Sequence, residues 1–72
     1  INTYYQNELD TELSDYFVRL YDKFGIIPEK DEFITIQHKG PNNDEVYKVS
    51  DKNYFFDTEG DFVVKLYLSI IK

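Results

Sequence analysis

A chain of 72 residues that contains no cysteine must hold its fold together by burying side chains. Disulfides are closed to it, and so are thiolate zinc sites and a cysteine nucleophile. A chain this short buries only about 60–65% of the surface that its unfolded form exposes. Each core side chain must therefore bring a large apolar area. Seven Tyr and six Phe meet that need, since aromatic rings carry the most apolar surface per residue. The length corresponds to a single small domain, residues 1–72, with a stability on the order of 4–8 kcal/mol.

The strongest periodic signal lies in the first third. Tyr5, Leu9, Leu13, Tyr16, Phe17, Leu20 and Phe24 recur at helical spacing and form one apolar stripe. The spacing predicts a helix over residues 2–24, with Asn2 or Thr3 as its N-cap. Glu8 and Asp10 fall toward the positive end of its dipole and Lys23 toward the negative end. Gly25 suits the position just past a helix, and Pro28 prevents resumption. Leu9, Leu13, Phe17, Leu20 and Phe24 are the expected buried row. Ile26 or Ile27 folds back under the helix end.

The remainder reads as strands and turns. Residues 32–39 are rich in β-branched and aromatic side chains. Gly40, Pro41, Asn42, Asn43 and Asp44 form a clear loop, and residues 45–50 return as a second strand. Asp51, Lys52 and Asn53 read as a second turn leading into a third strand at Tyr54, Phe55 and Phe56. Asp57 and Gly60 then suit a type I turn followed by a left-handed residue, which folds the chain into residues 61–72. That tail satisfies both a two-residue and a helical period. Val63, Val64, Tyr67, Ile70 and Ile71 favour strand. The alternative is a C-terminal helix over 61–72, capped by Thr58 and Asp61, with Asp61, Lys65, Ser69 and Lys72 as its polar row. The expected fold is α+β: an N-terminal helix packed on an antiparallel meander of about four strands, covering Ile34, Ile36, Val64, Leu66 and Leu68.

Net charge is −6 and the pI is near 4.5. Direct binding to nucleic acid or to an anionic membrane surface is disfavoured, because both need a basic footprint. No apolar run approaches the roughly 20 residues of a membrane span, and the regions of a signal peptide are absent. A reducing, cytoplasmic setting agrees with the lack of cysteine. The chain begins with Ile1, as a piece of a longer protein or a chain without its initiator would.

Catalytic chemistry finds little support. His38 is the one histidine, at the end of an expected strand. Ser14, Ser50 and Ser69 stand in no nucleophile-elbow context. Three glycines cannot make a phosphate-binding loop. The acidic turns at 42–45 and 57–61 lack the spacing of a calcium loop, and turn chemistry explains them. The expectation is a protein that is not an enzyme, with no catalytic residues, cofactor or metal.

The helix surface points elsewhere. Glu8, Glu12, Asp15 and Asp22 lie within about 80° of one another on a helical wheel, interrupted by Arg19, with Tyr4, Val18 and Tyr21 partly beside them. A solvated face explains the acids alone. Apolar groups beside acids suit a contact surface for a basic protein, and a row of carboxylates can stand in for phosphates. The expected function is a small acidic binding protein that inhibits or regulates a basic partner, of the kind that phages and mobile elements direct at host nucleic-acid enzymes. The alternatives are an immunity or antitoxin protein, or an interaction domain of a larger protein. Self-association through an open sheet edge is a further expectation. If the helix face is not the contact, Tyr47, Tyr54 and Tyr67 on the sheet come next.

Overall fold

A computed structural model describes residues 1–38, 40 and 42–71. Lys39, Pro41 and Lys72 lie outside the described residues. So do the places expected for them at a strand end, in the loop and in the polar row of the alternative helix.

The chain opens with a strand, not with a helix. β1 (Asn2–Tyr5) turns into the short β2 (Glu8–Leu9), and α1 (Thr11–Phe24) follows. Tyr4 pairs with Leu9 and Tyr5 with Glu8 across a two-residue turn. Gln6 and Asn7 both take positive φ there, 53° and 64°, the backbone that a tight hairpin of this kind requires. Thr3, Tyr4 and Tyr5 are β-formers, and strand pairing outweighs the helical period that includes Tyr5 and Leu9. The N-cap is therefore Asp10, whose Oδ1 accepts from the Leu13 amide at 2.9 Å. At the other end Gly25 closes α1 as expected, with φ 68° and its amide donating to the Tyr21 carbonyl at 2.7 Å.

β3 (Phe33–Ile36), β4 (Glu45–Phe56) and β5 (Phe62–Ile70) complete one five-stranded sheet in the order β2-β1-β5-β4-β3. β1 runs parallel to β5 and the other pairings are antiparallel. The α+β class holds, but the sheet is mixed and has five strands where an antiparallel meander of about four was expected. The tail is a strand, and the helical alternative for 61–72 is excluded over Phe62–Ile70. Its turn is the expected one. Gly60 has φ 83°, its amide donates to the Asp57 carbonyl at 3.1 Å, and Asp57 Oδ1 accepts from the Glu59 and Asp61 amides, each at 2.9 Å.

Asp51, Lys52 and Asn53 do not turn the chain. They lie within the continuous β4, just past a bulge between Val49 and Asp51. The Ser50 hydroxyl at the bulge donates to the Tyr67 carbonyl at 3.0 Å. A bulge adds one residue to one strand and so shifts its alternation. Before it Tyr47 and Val49 face the helix; after it Lys52, Tyr54 and Phe56 stand opposite Leu66, Val64 and Phe62 on that same side.

The core lies between α1 and one face of the sheet. Leu13 and Phe17 pack on Ile36, Tyr47, Val49, Val64, Leu66 and Leu68, with Leu20, Ile34 and Ile27 partly buried against them. Leu9 and Phe24, expected in the buried row, are 52% and 61% exposed. Leu9 belongs to the edge strand β2, and Phe24 ends the helix beside its C-cap glycine. Of the two connector isoleucines, Ile27 packs on the core and Ile26 is exposed.

Candidate functional site

The seven residues expected to form one contact surface divide into three groups. Glu12, Asp15 and Asp22 stand on α1, on the side away from Leu13 and Phe17 by helical geometry. Val18 and Tyr21 stand on the flank between that row and the core. Glu8 belongs to β2 and not to the helix, so the carboxylate row is shorter, about 15 Å from Glu12 to Asp22 at 1.5 Å per residue. Tyr4 leaves the surface altogether. Its ring stacks on Tyr67 at 5.2 Å, and strand alternation places both on the sheet face away from the helix.

Val18 and Tyr21 line a groove that the sequence did not reveal. Its other walls are Ile1, Ile27, Phe62 and Val64, and its volume is about 250 Å³. The groove exists because the hairpin of β4 and β5 outruns its neighbours. β1 pairs with β5 at residues 65–68, and β3 pairs with β4 at residues 45–48. The end of the hairpin, with residues 62–64 of β5, has no third strand against it among the described residues and projects past both neighbouring strands. The molecule is accordingly long, 46 × 26 × 20 Å.

The helix-side surface of that projection is aromatic. Tyr54 stacks on Phe62 at 5.7 Å, and Phe56 meets Phe62 at 5.4 Å. All three rings are more than half exposed. Cross-strand ring pairs stabilise a hairpin, yet rings this open leave apolar area in water. Lys52 lies at the inner edge of the cluster. Its side chain is 6% exposed, and its ammonium sits 2.7 Å from Glu29 Oε1 and 5.0 Å from the Tyr54 ring centre. Burial works against that charge, but the hydrogen bonds to Glu29 and Tyr54 outweigh it and hold the Lys52 pKa above its ordinary value.

On the opposite sheet face Lys65 lies 4.2 Å from the centre of the Phe55 ring and 5.9 Å from that of Tyr4. Of the fallback tyrosines, Tyr47 is buried, Tyr54 belongs to the exposed cluster and Tyr67 is the partner of Tyr4.

His38 is tied to structure. Its Nε2 lies 2.6 Å from Glu45 Oε1, and the buried Tyr47 hydroxyl donates to Glu45 Oε2. The Tyr47 and His38 hydrogen bonds lower the Glu45 pKa. Burial, followed by the bond to Glu45, pushes the Tyr47 hydroxyl above the ordinary tyrosine range. A hollow beside them is lined by Asp10, Glu12, Leu13, Tyr16 and Ile36, with no serine, threonine or lysine among its walls. Among the described residues no group of three or more His, Asp or Glu side chains is placed to hold a metal. No helix among them is long and apolar enough to cross a membrane.

No protein-family model, curated protein or solved structure matches this chain.

Proposed function

We propose that this chain is a protein-binding protein that inhibits or regulates a partner with a basic surface. The observation that carries the reading is the position of Asp15 and Asp22, one helical turn either side of Val18, where Val18 and Tyr21 wall an open apolar groove. Carboxylates around an apolar centre have the anatomy of an interface, with a dry middle and a polar rim. The acids steer a basic partner and accelerate association; the apolar groups supply affinity. A nucleic-acid enzyme is the partner class that the carboxylate row suits best, because its groove is already built for a line of negative charge. No catalysis is assigned to the chain.

Affinity capture with immobilised protein tests this reading, with a variant carrying Glu12→Lys and Asp15→Lys run in parallel. The expected result is a basic protein that the parent retains at low salt, that the variant loses, and that excess DNA displaces. Identical captured sets from parent and variant would remove the acidic face from the contact.

A further inference from the structure

The groove between α1 and the projecting hairpin has features that select its occupant. All six of its lining residues are apolar or aromatic: Ile1, Val18, Tyr21, Ile27, Phe62 and Val64. A small-molecule site also needs a few convergent polar groups to orient its ligand, and usually encloses roughly 300–1,000 Å³. This groove, at about 250 Å³, falls below that range, and the side chains that line it offer no polar group apart from the Tyr21 hydroxyl. It has the size and lining to receive one large apolar side chain. Tyr54 and Phe56 extend the apolar surface outward from Phe62. Rings of which about half stays exposed leave on the order of 100 Å² each. Together they approach the few hundred Å² at which an exposed patch marks an interaction site.

The charges around the groove decide between occupants. Asp15 and Asp22 flank it on the helix. Asp57, Glu59 and Asp61 lie in or beside the turn that leads into Phe62. Against these, Arg19 stands between Asp15 and Asp22 on α1, and Lys52 is already paired with Glu29. A second copy would bring the same carboxylates against these, and each chain carries a net charge of −6. Opposite charge favours an occupant rich in lysine or arginine.

We infer that the groove receives a single large apolar side chain from a Lys/Arg-rich segment of the partner, with the flanking carboxylates holding the basic residues on either side of that anchor. This rests on the reading of the chain as a binder of basic partners, and it adds where the anchor enters and what kind of residue it is.

Two fluorescent peptides of about nine residues test it by anisotropy at low salt. Both are lysines throughout except at the centre, where one carries tryptophan and the other glycine. The tryptophan peptide is expected to bind at least about tenfold more tightly. Tyr21→Ala and Phe62→Ala, both at half-exposed positions, are expected to abolish that preference while leaving the weaker glycine peptide unaffected. Their circular dichroism melts confirm that each variant is folded. Equal binding of the two peptides by the parent protein overturns the anchor groove and leaves the acidic surface standing. Binding of neither peptide sinks both readings. A preference for tryptophan that survives both substitutions places the anchor elsewhere and also overturns the inference. So does a concentration-dependent dimer in sedimentation that Phe62→Ala dissolves, because a second copy would then occupy the groove.

Discussion

The Thr3 amide donates to Ser14 Oγ at 2.9 Å, joining the first strand to the helix that comes after it. The same hydroxyl donates to the Asp10 carbonyl at 2.7 Å, and the Asp10 amide donates back to the Thr3 carbonyl at 2.8 Å. These three bonds tie β1 to the first turn of α1. They also hold β1 where it can lie parallel to β5, with Thr3 opposite Leu66.

Thr3 itself provides the first prediction. Its Oγ1 is buried and has no hydrogen-bond partner among the described residues. Thr3→Val keeps the branched shape and removes a desolvated hydroxyl, so stability should stay level or rise by up to about 1 kcal/mol. Ser14→Ala instead strands the Thr3 amide and should cost about 1–3 kcal/mol. Urea unfolding midpoints read both. A loss of more than about 1 kcal/mol in Thr3→Val would mean that the hydroxyl is bonded after all.

The turn into β5 gives the second. At Gly60 a Cβ would meet nothing within 4 Å, so the cost of any side chain there comes from the backbone, held at φ 83°. Gly60→Val should lose more than about 1 kcal/mol, because a branched side chain resists that region. Asp57→Ala should lose about 1–2 kcal/mol by freeing the Glu59 and Asp61 amides, which Asp57 Oδ1 now accepts. Thermal melts of the two variants suffice. A midpoint for Gly60→Val equal to that of the parent would contradict the turn geometry.

Core substitutions separate the part of the helical stripe that exists from the part that does not. Leu13 is 6% exposed and lies in the core cluster, so Leu13→Ala should cost about 2–4 kcal/mol. Leu9, on the outermost strand and 52% exposed, should tolerate alanine within about 0.5 kcal/mol. Comparable losses at the two positions would restore Leu9 to the helix.

That contrast shows what the sequence carries. From residue 11 onward the helical period is genuine, and local chemistry marks its end at Gly25 and the turn at Gly60. Before residue 11 the same period continues by coincidence through Tyr5 and Leu9. The rival structure depends on pairing with β5, some 60 residues away, which no local pattern can announce. The acid at position 8 and the ring at position 4 moved off the helix face for the same reason. The bulge after Val49 was illegible too, because Asp51, Lys52 and Asn53 are turn-forming types placed where a strand continues. The turn at Gly60 already implies the pairing of residues 53–56 with 62–65; what the bulge concealed is that Tyr54 and Phe56 share the helix-side face with Tyr47 and Val49. The groove needed tertiary structure as well: it brings together residues 1, 18, 21, 27, 62 and 64.

Glu45 should couple stability to pH on the acid side. The Tyr47 hydroxyl and His38 hold its carboxylate charged, and its pKa lies below the ordinary 4.5. A group whose pKa is lower in the folded state stabilises the fold fully above its unfolded value. That contribution fades as pH falls through the folded value, since the unfolded chain takes up the proton first. Glu45→Gln keeps an oxygen for Tyr47 but cannot titrate. The parent's stability advantage over this variant should therefore shrink as the solution is acidified from about pH 5 downward. Urea unfolding of both proteins across that range measures the difference. An advantage that does not change with pH would show that the Glu45 charge contributes nothing to the fold, and that its hydrogen bonds work equally well without it.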